Sequence, residues 1–117
     1  MNTVHKIVSA LIVLLGLAHC GFTFLNYSGL SMDAFWFLGA GIAIVLAGFL
    51  NVALIRVRGR DTVIWLMTLL TNLAFLLLFG LATFMLRESQ VFVGLALFFL
   101  AALRTFFLDT EASNIKD

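Results

Sequence analysis

Five side chains in an otherwise apolar sequence carry the chemistry to bind or react: His19, Thr23, Asn51, Asn72 and Arg104. An imidazole can carry a proton near neutral pH, ligate a haem iron or form an ordinary hydrogen bond. The two carboxamides each offer donors and an acceptor, and the guanidinium fork matches an anionic headgroup or a small anion. No acidic residue accompanies them within the apolar stretches, so paired-carboxylate catalysis has no basis. Cys20 follows His19 directly and is turned about 100° from it on a helix, a poor geometry for a Cys-His pair, and it reads as core filler. As the single cysteine it also excludes an internal disulfide, a CxxC pair and a thiolate zinc cage within one chain. His5 lies 14 residues before His19, about 21 Å along a helix, so bis-histidine haem ligation needs a dimer. Met32, Met67 and Met85 make no copper cluster with it by spacing.

These residues fall on helical seams. His5, Ser9, Ile12, Gly16, His19, Thr23 and Asn26 succeed one another in steps of four and three, as do Ala34, Phe37, Gly41, Ile44, Gly48 and Asn51. Asp61, Trp65, Thr68, Asn72, Phe75, Phe79 and Ala82 form a third seam, and Gln90, Gly94, Leu97, Ala101, Arg104 and Leu108 a fourth. Such spacing gathers the small and polar residues of each helix on one face and predicts left-handed packing. Counted at about 1.5 Å per residue, two layers emerge. His19 and Thr23 share an upper pocket with Asn72 at its border, and Asn51 meets Arg104 in a lower one. For His19 an interhelical hydrogen bond and a ligand, proton or haem site stay open as alternatives. For Arg104 the alternatives are snorkelling to the headgroups or turning inward to Asn51 and an anion.

The elements that must position these side chains are four apolar stretches, residues 4–26, 34–56, 62–86 and 90–108, each about the 20 residues that span a hydrocarbon core. Of the 117 residues, 63% are hydrophobic and 11% charged, more apolar surface than a water-soluble domain of this size can hide. The fold class expected is all-α: an integral membrane antiparallel four-helix bundle, up-down-up-down, with residues 109–117 a short, frayed polar tail. Ser31 or Asp33 caps the second helix, the chain turns at Gly59, and Asp61 or Thr62 caps the third. Proline is absent, which removes that kind of hinge. The first stretch reads as a retained span, because its apolar core exceeds that of a signal peptide and no small-x-small site ends it.

Lys6, Arg56, Arg58, Arg60, Arg104 and Lys116, six of the seven basic residues, fall on one side of such a bundle and Arg87 on the other. Basic loops stay in the cytoplasm, so both termini are expected there, at the inner membrane. Tyr27, Trp36 and Phe84 then mark the outer interface, and Trp65, Phe106 and Phe107 the inner one. The net charge of +1 with no basic block gives nucleic-acid binding no electrostatic support. Gly39, Ala43 and Ala47 form a small-xxx-small stripe, serving intramolecular packing or self-association.

The run Gly16-Leu17-Ala18-His19 through Thr23 and Tyr27, followed by Asp33-Ala34-Phe35-Trp36-Phe37-Leu38-Gly39-Ala40-Gly41 and Asn51, resembles small four-span bacterial membrane proteins. More loosely, the architecture is similar to the DoxX-like group. The resemblance rests on hydropathy and length, implies a bacterial inner-membrane four-helix bundle, and transfers no catalytic residue. Small multidrug transporters carry a glutamate in their first helix and vitamin-K-reductase-like proteins a cysteine pair; this chain has neither. The leading expectation is a non-enzymatic protein, an accessory subunit or a binder of a lipid-like or small apolar ligand at His19, Thr23, Asn51, Asn72 and Arg104. Its partners would be membrane lipids, further copies of itself or a larger membrane complex. The alternatives are transport of a small solute by an oligomer with His19 as proton site, and a redox role through haem or quinone. No one cofactor is singled out.

Overall fold

The computed structural model describes residues 2–29, 31–86 and 88–115, with side chains from Thr3 to Phe107 within those stretches. Arg87 and Lys116, which enter the charge pattern, lie outside the described residues, as does the side chain of Leu108. Four helices pack together: α1 (Asn2–Asn26), α2 (Met32–Arg56), α3 (Thr62–Met85) and α4 (Ser89–Ile115).

Local chemistry sets the ends. Ser31 is the residue that caps α2, its Oγ accepting from the Ala34 amide at 3.1 Å, while Asp33 sits in the first turn, where a carboxylate complements the helix dipole. Asp61 caps α3 by accepting from the amides of Val63 and Ile64 at 3.0 and 3.1 Å. The turn between α2 and α3 begins one residue before the expected glycine: Arg58 takes a left-handed φ of 55° and Gly59 one of 68°. Gly59 N–H reaches back to the Leu54 carbonyl and Arg58 N–H to that of Ile55, the paired bonds that close a helix end. α4 continues to Ile115. The polar end after Phe107 therefore carries on the helix rather than forming a frayed tail, and between Asp109 and Ile115 there is no proline or glycine to stop it.

Across α1 and α2 the early residues of one meet the late residues of the other. His5 meets Asn51, Val13 meets Gly48, Gly16 meets Val45, and Cys20 meets Gly41. The approach is close enough that a Cβ on Gly16 would lie 2.7 Å from the Val45 amide nitrogen and 2.9 Å from the Gly41 carbonyl. A Cβ on Gly41 would meet Cys20 Sγ at 2.6 Å. Small residues on the seam are what permit this contact. Likewise Phe75 and Phe79 of α3 stack on Phe98 of α4, with ring centroids 4.8 and 5.6 Å apart. The α1·α2 and α3·α4 pairs are the extensive contacts, and α1·α4 and α2·α3 join them more sparsely. The shared core consists of Val8, Ile12, Ile44, Ala47, Leu97, Phe98 and Ala101.

The outer surface is apolar. Leu14, Leu25, Leu77 and Phe84 are 59, 79, 64 and 86% exposed, which water would penalise and acyl chains would not. All four helices are long and apolar enough to cross a membrane, the fold of a multi-pass membrane protein. A 25-residue helix such as α2 measures about 37 Å, more than the ~30 Å hydrocarbon core it would traverse.

Candidate functional site

Inside the bundle the buried polar groups divide between two places. Toward the end that holds the α2–α3 turn, one side chain from each helix enters a single hydrogen-bonded network. Asn51 of α2 and Asn72 of α3 exchange amide bonds, Nδ2 of each donating to Oδ1 of the other at 2.9 Å. His5 of α1 donates from Nε2 to Asn51 Oδ1 at 3.0 Å, which fixes its Nε2–H tautomer because a carbonyl oxygen can only accept. Asn72 Nδ2 also donates to Thr105 Oγ1 of α4 at 3.0 Å. The remaining bonds return to the backbone: Asn51 Nδ2 to the Ala47 carbonyl, Thr105 Oγ1 to Ala101 and Ser9 Oγ to His5, at 2.7–2.8 Å. Trp65 anchors the same layer, its indole N–H donating to the Thr105 carbonyl at 2.7 Å.

All four hydrogen-bonding positions of Asn51 are thereby filled, two donors and two lone pairs. His5, Ser9, Asn51, Thr68, Asn72 and Thr105 are all within 1% of complete burial. A network so complete serves cohesion better than chemistry: it holds four helices in register and offers a ligand little free capacity.

The other place is a cleft at the opposite end, where α1 finishes, α2 begins, α3 finishes and α4 begins. Its volume is about 570 Å³, within the usual range for small-molecule sites. The deep walls are apolar, formed by Leu15, Phe37, Ile44, Phe79 and Ala82, while Asn26, Tyr27, Asp33, Glu88 and Gln90 surround the mouth. His19 borders the cleft with its ring stacked on Phe37, centroids 3.8 Å apart and planes 15° from parallel. Its Nε2 is buried and has no hydrogen-bond partner among the described residues. At the mouth Gln90 Nε2 donates to a Glu88 carboxylate oxygen at 2.7 Å. A second apolar cavity of about 180 Å³ adjoins the first, bordered by Phe75 and Leu78 as well as by His19, Ala40, Ile44, Phe79 and Ala82.

The five residues singled out from the sequence therefore separate. Asn51 and Asn72 come together, but Asn72 belongs to the lower layer and not to the border of the upper one. Its partner on α4 is Thr105; Arg104 is half-buried beside it, and Asn51 has no position left for a guanidinium. His19 alone of the five borders the large cleft. Thr23 bonds back to the His19 carbonyl at 3.3 Å and lines another cavity, of about 350 Å³, with Tyr27, Ala34 and Leu38.

His5, weighed from the sequence only as a haem ligand, and Thr105 are the residues of this network that the five singled out do not include. The α4 seam through Gly94, Leu97 and Ala101 leaves its next step open between Arg104 and Thr105. Desolvation decides it: a threonine satisfies its hydroxyl on its own helix, whereas an arginine cannot. Among the described residues no three His, Cys, Asp or Glu side chains come together to hold a metal ion. Compared with known protein families, curated proteins and solved structures, the chain matches none of them.

Proposed function

We propose that this chain is a non-enzymatic multi-pass protein of the bacterial inner membrane, an up-and-down antiparallel four-helix bundle that holds a lipid-like or small apolar amphiphile in its cleft. The observation that carries the reading is the cleft's graded lining, apolar at depth and polar at the mouth, with the unpartnered His19 Nε2 at its edge. An amphiphile satisfies both parts at once, its body against Phe37, Ile44 and Phe79 and its head among Asn26, Tyr27 and Gln90. The pairing of early with late residues across α1 and α2 supports the antiparallel order, and seams spaced by three and four support the left hand. The charge on Lys6, Arg56, Arg58, Arg60 and Arg104 supports cytoplasmic termini, which turns the cleft's mouth to the outer face.

The test is native mass spectrometry of the protein released from a bilayer in mild detergent. A bound molecule of lipid mass is expected on the wild type and is expected to be depleted in Ile44→Trp, which fills the cleft wall. A protein that always emerges bare would overturn the ligand-binding reading.

A further inference from the structure

We infer that the cleft is loaded sideways from the bilayer through a gap between α2 and α3, by a lipid whose acyl chain lies against Phe75, Leu78 and Phe79 and whose ammonium head meets Asp33 and Glu88. The inference deepens the ligand-binding reading above and rests on it. Its basis is that the two cavities share a wall. His19, Ala40, Ile44, Phe79 and Ala82 border both, so the 180 Å³ cavity lies beside the 570 Å³ cleft, between residues of α2 and α3.

The gap has a structural cause. The seam between α2 and α3 is fastened at one end by the Asn51–Asn72 pair, and along α3 only Thr68 and Asn72 are buried. From Leu73 to Met85 no α3 side chain is fully covered, and on the facing walls Ala40 and Ala82 are too short to close the space. Leu78, beside the gap, is 59% exposed on the outer surface. In a bilayer that surface meets acyl chains, which cross an apolar gap without the desolvation cost a polar solute would meet there. The mouth supplies a complement for the head: Asp33 and Glu88 line it, while Arg87, between the lining residues Leu86 and Glu88 in sequence, lies outside the described residues. An ammonium group gains there what a phosphoglycerol head, with its net negative charge, would not.

The experiment uses the full chain in phosphatidylcholine nanodiscs doped with phosphatidylethanolamine bearing a diazirine on its acyl chain. After illumination, adducts are mapped by peptide mass spectrometry. Adducts are expected on Ile44, Phe79 and Ala82 inside the cleft as well as on Leu14, an exposed α1 residue that lines neither cavity. Leu78→Trp, which plugs the gap from a lipid-facing position, is expected to reduce the cleft adducts several-fold and to leave those on Leu14 unchanged. Wild-type adducts confined to outward residues would overturn the lateral route, whether or not the variant folds. If the wild type labels the cleft and Leu78→Trp, folded, labels it equally, the ligand-binding reading stands and the lateral route falls; if the wild type shows neither cleft adducts nor retained lipid, both fall. A phosphatidylglycerol probe is expected to label the cleft less, and equal labelling would remove the ammonium assignment.

Discussion

The carboxamides of Asn51 and Asn72 face each other across α2 and α3 and exchange two hydrogen bonds of 2.9 Å, one in each direction. His5 and Thr105 extend that pair to α1 and α4, so one amide dimer touches all four helices. Its position away from the cleft gives the bundle two unlike ends. One is fastened by saturated polar contacts; the other is splayed around a space of about 570 Å³. Under the proposed ligand-binding reading, the saturated end would hold the helices in register while a ligand sits between them at the other.

Breaking the pair from one side should cost more than its bonds are worth, because the remaining carboxamide stays buried and unsatisfied. Asn51→Ala and Asn72→Ala are each expected to destabilise the bundle by about 1–3 kcal/mol, the usual cost of an orphaned buried polar group. The coupling in a double-mutant cycle should be smaller, about 0.6 and at most about 1.7 kcal/mol, as for other interhelical bonds in membranes. Unfolding in sodium dodecyl sulfate, followed by tryptophan fluorescence, measures both. Strictly additive single effects would show that the two amides do not interact.

Much of this interior was legible before any coordinates, and the reason is the cost of polar groups in an apolar medium. His5, Ser9, Asn51, Thr68 and Asn72 could be assigned to inward faces because no other face would accept them. Helix ends were equally readable from Ser31, Gly59 and Asp61, although the left-handed Arg58 was not, since arginine carries no sign of that conformation. What stayed hidden was depth and rotation. A seam gives the face of a helix but not its height against its neighbours, so spacing places Asn72 at the border of the upper layer, leaves Arg104 open between the headgroups and Asn51, and gives no sign that Thr105 is the α4 residue that bonds Asn72. The cleft could not be foreseen either, because it arises from where helices diverge and no single residue announces that.

The two kinds of glycine on α1 and α2 should respond oppositely to alanine. Gly41→Ala would bring a methyl to 2.6 Å from Cys20 Sγ and 3.0 Å from the Cys20 amide nitrogen, and Gly16→Ala one to 2.7 Å from the Val45 amide nitrogen. Each is expected to cost about 1–3 kcal/mol as the helices are forced apart. Gly21 and Gly39 have nothing within 4 Å of such a methyl, and alanine there should be neutral or stabilising by up to about 1 kcal/mol through helix propensity. Adding Cys20→Ala should recover part of the Gly41→Ala loss, because the sulfur is one of three obstacles and the Cys20 amide nitrogen and the Gly16 carbonyl remain. Thermal unfolding of the set in detergent tests the ordering; equal effects at all four glycines would contradict it.

Sidedness follows from charge and can be read without a structure. In a Cys20→Ser background, single cysteines at Ser28 and at Arg60 should react with a membrane-impermeant maleimide from opposite sides of sealed, right-side-out vesicles. Ser28→Cys is expected to label from outside and Arg60→Cys only after permeabilisation, since basic loops stay in the cytoplasm and the proposed orientation puts the loop carrying Arg56, Arg58 and Arg60 there. The reverse pattern would invert the bundle and turn the cleft's mouth inward.

His19 separates stability from ligand retention. Its ring stacks on Phe37 at 3.8 Å, an interaction that a phenyl ring preserves, while its buried Nε2 has no partner among the described residues. His19→Phe removes an unsatisfied nitrogen and keeps the stack but also loses the imidazole's hydrogen bond to the Phe37 backbone, so the variant should unfold near the wild-type temperature. If Nε2 serves the bound amphiphile, the same variant should lose lipid in native mass spectrometry, and His19→Gln, which restores a hydrogen-bonding group there, should recover part of it. Loss of ligand without loss of stability is the signature of a polar group kept for binding. Retention unchanged in His19→Phe would leave the histidine a packing residue and return the cleft's specificity to its mouth.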